Sequence, residues 1–148
     1  MILIGLCKKV LRNLISYLWR YFLLSDLASC TLGHGSRVNY WRVRSSPGGI
    51  LKIGSQSLIR AEFVFERPKV EIHIGDRTFI GRGLFTIAEQ LVIGNDVMIS
   101  WGVTVSDHNS HSLKYSERAN DVIMALEGVK HWEAIKVAPV LIESKVWI

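Results

Sequence analysis

From residue 32 onward, apolar positions return at every sixth place. Four segments share the pattern: "IGSQSLI" from Ile53, "IGDRTFI" from Ile74, "IGNDVMI" from Ile93 and "IESKVWI" from Ile142. Each opens on Ile and closes on Ile six residues later, and "LGHGSRV" from Leu32 is a weaker fifth copy. The fifth place holds Ser36, Ser57, Thr78, Val97 or Val146, always small or β-branched. A helix would repeat at three and four, and a half-buried strand at two. A period of six suits short strands meeting at corners, with the leading aliphatic pointing inward onto its counterpart one turn away. The small fifth residue packs inside near the corner. The Gly after the leading Ile is expected to supply backbone angles that a side chain resists.

The first four copies start at 32, 53, 74 and 93. A triangular coil of three hexads needs about 18 residues, and such a fixed period marks a solenoid in which stacked turns bury a shared core. The small surplus in each turn bulges from the corners. The step from 93 to 142 is much longer and implies an excursion, placed at residues 106–138. It begins just after Val105, where the rhythm gives way to Asp107, His108, Asn109, Ser110 and His111. An ordinary β-sandwich with chance spacing is the competing fold.

The first 24 residues follow another pattern. Lys8, Arg12, Ser16 and Arg20 recur every fourth residue, with Lys9 and Asn13 beside them. On a helix this gives one cationic stripe and a wide apolar face that includes Leu11, Leu14, Ile15, Leu18, Trp19 and Phe22. That pattern predicts a helix over residues 1–26 lying in a bilayer interface. Basic residues interrupt every window of about 20 residues, so a membrane span is not expected. A helix packed on a partner subunit is one alternative. A signal peptide ending at "LASC" is another, although its charges would then sit inside the apolar region instead of before it.

Composition adds limits. With 148 residues, 49% hydrophobic and 21% charged, the chain fits one globular domain, residues 27–148, behind the helix. The net charge is +5, but residues 1–24 hold four cations and no acid, so the surplus belongs to that helix. A membrane surface is therefore the expected partner, and nucleic acid is not. Two cysteines, Cys7 and Cys30, make no disulfide framework and fit reduced thiols in the cytoplasm.

The hexads followed by "VSDHNSHSL" resemble the hexapeptide-repeat acyltransferases, in particular the sugar O-acetyltransferase branch similar to maltose and galactoside acetyltransferases. The resemblance covers roughly residues 50–148. It implies an all-β fold, a left-handed parallel β-helix, and a homotrimer in the full-length form with active sites between neighbouring subunits. Acetyl-coenzyme A would be the donor, a sugar or polysaccharide the acceptor, and no metal is required. The location implied is cytoplasmic, peripheral at the inner membrane face, in surface polysaccharide biosynthesis.

His108 matches the family's essential histidine. Taken alone, an Asp-His pair in a polar loop also reads as surface decoration; its place at the break of the repeat favours a site. An imidazole can take a hydroxyl proton near neutral pH while the oxygen attacks a thioester. Asp107 is the candidate to orient that ring, and His111 is the competing base or an acceptor contact. Trp147 matches a tryptophan near the coenzyme site, with corner packing as the alternative. Trp101 is a packing residue or an acceptor-pocket wall. Tyr115, Arg118, Asp121, His131 and Trp132 are expected in the acceptor pocket. Family members carry asparagine where this chain has Gly81, Arg82 and Gly83, so Arg82 points to an anionic or larger sugar.

The family continues for several coils, whereas this sequence stops at Ile148 as a hexad opens. The resemblance therefore implies a truncated N-terminal portion, with an inactive fragment or a non-catalytic membrane-associated or trimer-assembly module as the alternatives. A zinc carbonic anhydrase of the same fold would need about three histidine ligands. His34, His73 and His108 lack the spacing for it.

Overall fold

A computed structural model describes residues 24–148. The expected interfacial helix lies almost wholly outside the described residues; residues 24–26 form a turn. Thirteen short strands follow, all paired in parallel. The first coil is β1 (Ser29–Leu32), β2 (Arg37–Val38) and β3 (Val43–Arg44), and the second is β4 (Ile50–Ile53), β5 (Leu58–Ile59) and β6 (Glu62–Phe65). The third is β7 (Glu71–Ile74), β8 (Phe79–Ile80) and β9 (Leu84–Ile87), and the fourth is β10 (Gln90–Ile93), β11 (Met98–Ile99) and β12 (Thr104–Ser106). After the excursion, β13 (Val140–Ile142) returns onto β10.

The three faces are β1-β4-β7-β10-β13, β2-β5-β8-β11 and β3-β6-β9-β12. This is the parallel β-helix that the hexads predict. Leu32, Ile53, Ile74, Ile93 and Ile142 lie in register along the first face. Val38, Ile59, Ile80 and Ile99 do so along the second. Val43, Phe63, Phe85 and Val105 form the third stack. Leu51, Ile59, Phe63, Ile72, Ile80, Phe85 and Leu91 are fully buried. Each such side chain contributes about 1.5–3 kcal/mol of transfer free energy, and that drives the coiling.

Hydroxyls complete the interior corner. Ser36 Oγ donates to the Gly54 carbonyl at 2.6 Å and accepts the Ser57 N–H at 2.8 Å. One coil on, Ser57 Oγ donates to Gly75 O at 2.8 Å and accepts the Thr78 N–H at 3.0 Å. Thr78 Oγ1 repeats this with Gly94 O at 3.0 Å and the Val97 N–H at 3.3 Å. The fifth place is small because it packs inside, and polar in three copies because buried backbone groups need partners.

The glycine has a different reason from the one the repeat suggests. Positive φ falls two residues later, on Gln56, Arg77, Asp96 and Lys145. Their N–H groups each donate to a carbonyl one coil below, for example Arg77 to Ser55 O at 2.8 Å. Gly54, Gly75 and Gly94 are required because the next coil passes too close for a side chain. A Cβ on Gly75 would sit 2.7 Å from the Gly94 carbonyl carbon and oxygen. Gly75→Ala is therefore expected to cost about 1–3 kcal/mol by overpacking, read as a lowered urea midpoint. Gly102→Ala meets open space and carries only the cost of its φ of +81°. Equal midpoints for the two variants would refute the close-approach account.

Candidate active site

The third face ends at β12, and the next residue is buried. Asp107 is 4% exposed, and its carboxylate accepts three backbone N–H groups, from Ala88 at 2.7 Å, Glu89 at 2.7 Å and Gln90 at 3.1 Å. It thus ties the start of the excursion to the corner of the coil below. Both carboxylate oxygens accept from backbone, and the hydrogen bond made by the neighbouring His108 ring is with the Ser110 N–H.

The base of the excursion is a short antiparallel clasp. Asn109 donates its N–H to Lys136 O at 3.1 Å, and the Ala138 N–H donates to Asp107 O at 2.9 Å. His108 bridges Val137 between them. Beyond the clasp lie α1 (Tyr115–Arg118), α2 (Asp121–Leu126) and a short 3-10 turn at Trp132–Ala134. Arg118 Nη1 donates to Leu113 O at 2.6 Å and closes the segment ahead of α1.

The His108 ring is half-buried against Trp132, edge to face, with centroids 5.2 Å apart. Lys130 Nζ lies 4.2 Å from the Trp132 ring centre, and Arg67 Cζ 5.3 Å from it. His108 Nδ1 accepts the Ser110 N–H at 3.0 Å. The neutral ring therefore carries its proton on Nε2, which is buried without a hydrogen-bond partner. Burial pushes the His108 pKa below its ordinary 6.5, helped by the positive charge of Lys130 and, less, of Arg67; Glu66 and Asp107 oppose this.

A stability consequence follows from that direction. Well above pH 6.5 the ring is neutral in folded and unfolded chains alike, and the folded excursion keeps its full stability. As pH falls through 6.5, the unfolded chain takes up the proton first, so stability declines until the lower folded value is reached. The Trp132 indole resonance should report opening of the clasp as pH falls through 6.5. His108→Gln should flatten that dependence; an unchanged pH profile in the variant would exclude His108 as its source.

His111 is different. Its Nδ1 lies 2.6 Å from Asp121 Oδ2, and its side chain is 62% exposed. The pair borders a cavity of roughly 190 Å3. Ser110, Lys130 and His131 supply the rest of its polar wall, and Met124, Ala125, Val129 and Ile135 its apolar wall. Asp121 and His131, expected in an acceptor pocket, do line it. Tyr115, Arg118 and Trp132 do not. The hydrophobic contributors and Lys130 carried no sequence signal, because the excursion has no periodicity to place them.

The other expected site residues lie elsewhere. Arg82 and Trp101 occupy neighbouring corners between the second and third faces, where the Gly102 N–H donates to Arg82 O at 2.6 Å. Both are exposed, as is Trp147, which bridges Met98 on the second face. Within one chain they sit at a different corner from the excursion. Among the described residues, no three His, Cys, Asp or Glu side chains are grouped to hold a metal ion. Also among them, no helix is long and apolar enough to cross a membrane.

Compared with known proteins, the chain matches no family model, no curated protein and no solved structure. What is shown is a β-solenoid whose stack is interrupted once, at a segment bearing three imidazoles, of which His108 and His111 lie in contrasting environments.

Proposed function

We propose that the chain is an O-acetyltransferase of the hexapeptide-repeat kind, moving an acetyl group from acetyl-coenzyme A to a sugar hydroxyl in surface polysaccharide assembly. One observation carries the reading: the core stack breaks at the point where His108 and His111 enter, beside a cavity walled by the excursion. The left-handed parallel β-helix is a fold common among acyltransferases. The chemistry needs a base for the hydroxyl proton and a hydrogen-bond donor for the tetrahedral oxyanion. Imidazoles serve both purposes near neutral pH.

Arg82, Trp101 and Trp147 join such a site only across a subunit boundary, which the implied homotrimer would supply. Residues 1–24, with their four cations, would hold the enzyme at the inner membrane face near lipid-linked acceptors.

The test incubates the full chain with acetyl-coenzyme A and a panel of neutral and anionic sugars. Thiol release and acetylated sugar are measured together. Release that requires both the sugar and the imidazoles, and disappears in His108→Gln/His111→Gln, supports the reading. No sugar-dependent release sinks it.

A non-catalytic assembly module is the second reading, favoured by the exposed Met98, Trp101 and Trp147, at 56%, 81% and 85%. Calorimetry separates the two: self-association or vesicle association without coenzyme-A binding supports the module.

A further inference from the structure

We propose that His111, held by Asp121, is the catalytic base, that His108 is a positioning residue, and that the adjoining cavity takes a single sugar ring. This rests on the acyl-transfer reading and assigns its parts. Position in the repeat singles out His108, but hydrogen bonding singles out His111.

A general base needs a lone pair within reach of the substrate proton. His108 has none to offer when neutral: Nδ1 is occupied by the Ser110 N–H at 3.0 Å, and Nε2 carries the proton inside the protein. His111 has the complementary arrangement. Its Nδ1 proton is directed to Asp121 Oδ2 at 2.6 Å, so Nε2 keeps its lone pair. The ring is exposed and lines the cavity. A carboxylate in this place fixes the tautomer and stabilises the imidazolium without taking its proton.

His108 acts on this dyad through the backbone. Ser110 adopts a φ of +62°, uncommon for a residue with a side chain. The His108 ring holds the Ser110 N–H, and the His111 N–H donates to Asn109 O at 2.6 Å. The resulting tight turn aims His111 at Asp121.

The cavity, at roughly 190 Å3, is smaller than the usual ~300–1,000 Å3 of small-molecule sites. Its size suits one sugar ring. Met124, Val129 and Ile135 offer an apolar wall to the C–H face of a pyranose, leaving a hydroxyl to meet His111. In the reaction, the hydroxyl proton passes to His111 Nε2 while its oxygen bonds to the acetyl carbonyl carbon. Collapse of the tetrahedral adduct breaks the carbon–sulfur bond. The departing thiolate takes the proton from His111, so one acetyl group has moved from sulfur to oxygen and one thiol is released.

The test measures kcat and KM of the full chain with acetyl-coenzyme A and an accepted sugar. His111→Gln should lower kcat about 100-fold or more, within the ordinary reach of general-base catalysis, with KM for the sugar little changed. Asp121→Asn should lower kcat at least about tenfold with the same KM, and Asp121→Glu should recover part of the loss. Added imidazole should restore activity to His111→Ala and not to His108→Ala, a rescue that an unfolded variant cannot show. Full kcat in His111→Gln, or rescue of His108→Ala instead, overturns the assignment while leaving acyl transfer standing. If the unaltered chain transfers acetyl to no hydroxyl, the acyl-transfer reading falls first and this assignment with it.

Discussion

Replacing Asp107 with alanine is expected to lower stability by about 3 kcal/mol or more and to release the excursion from the coil. The carboxylate accepts the N–H groups of Ala88, Glu89 and Gln90 while 4% exposed. Hydrogen bonds to a charged acceptor contribute about 1.5–3 kcal/mol each, and a buried N–H left without a partner costs about 1–3 kcal/mol. The three bonds share one acceptor, so their effects do not add in full. Asp107→Asn should fall between, since an amide keeps one accepting oxygen and turns an N–H2 toward donors. Urea unfolding gives the size of the loss, and hydrogen exchange at Glu89 and Gln90 shows where it acts. An alanine variant within about 0.5 kcal/mol of the parent, the range of ordinary surface changes, would mean that water replaces the carboxylate and that the tie is incidental.

That residue also shows what the sequence could and could not disclose. Asp107 stands beside His108, and adjacency in a polar loop suggested a working pair. The backbone it serves lies a full coil earlier, at residues 88–90, and no spacing rule links the two places. The inward stack was legible because one physical requirement, aliphatic on aliphatic, recurs at a fixed interval: Ile53, Ile74 and Ile93 lie in register as the hexads imply. The third stack was less so, since Phe63 and Phe85 follow corners of irregular length and fall outside the quoted repeats. The glycines were found for the wrong reason. Their position in the pattern is fixed by the approach of the next coil, while the left-handed residues are Gln56, Arg77, Asp96 and Lys145, whose identities give no hint of it. In the excursion, pairing of 107–109 with 136–138 depends on long-range contacts alone. The His111–Asp121 contact is likewise invisible until α2 is placed.

Phe85→Ala should be the most damaging single change in the core, at about 3–5 kcal/mol, the range for a fully buried aromatic. Phe85 is 0% exposed and lies over Phe63 with ring centroids 5.2 Å apart, tilted by 49°. On its other side it faces Val105, in register one coil on. The upper part of the range is expected because this core cannot collapse into the hole. Neighbouring coils are held at strand spacing, about 4.8 Å, by backbone bonds on three faces, so the gap persists and its lining loses contacts. Val105 also stands two residues before Asp107, and loosening it should weaken the anchoring of the excursion. The urea midpoint should drop with the slope unchanged if the coil still unfolds as one unit. Phe79→Ala is the comparison. Phe79 points outward on the second face, half-buried, with Arg60 5.9 Å from its ring centre. Its loss should stay near or below about 1 kcal/mol. Similar losses for the two phenylalanines would show that backbone pairing, and not the inward stack, holds the coils together.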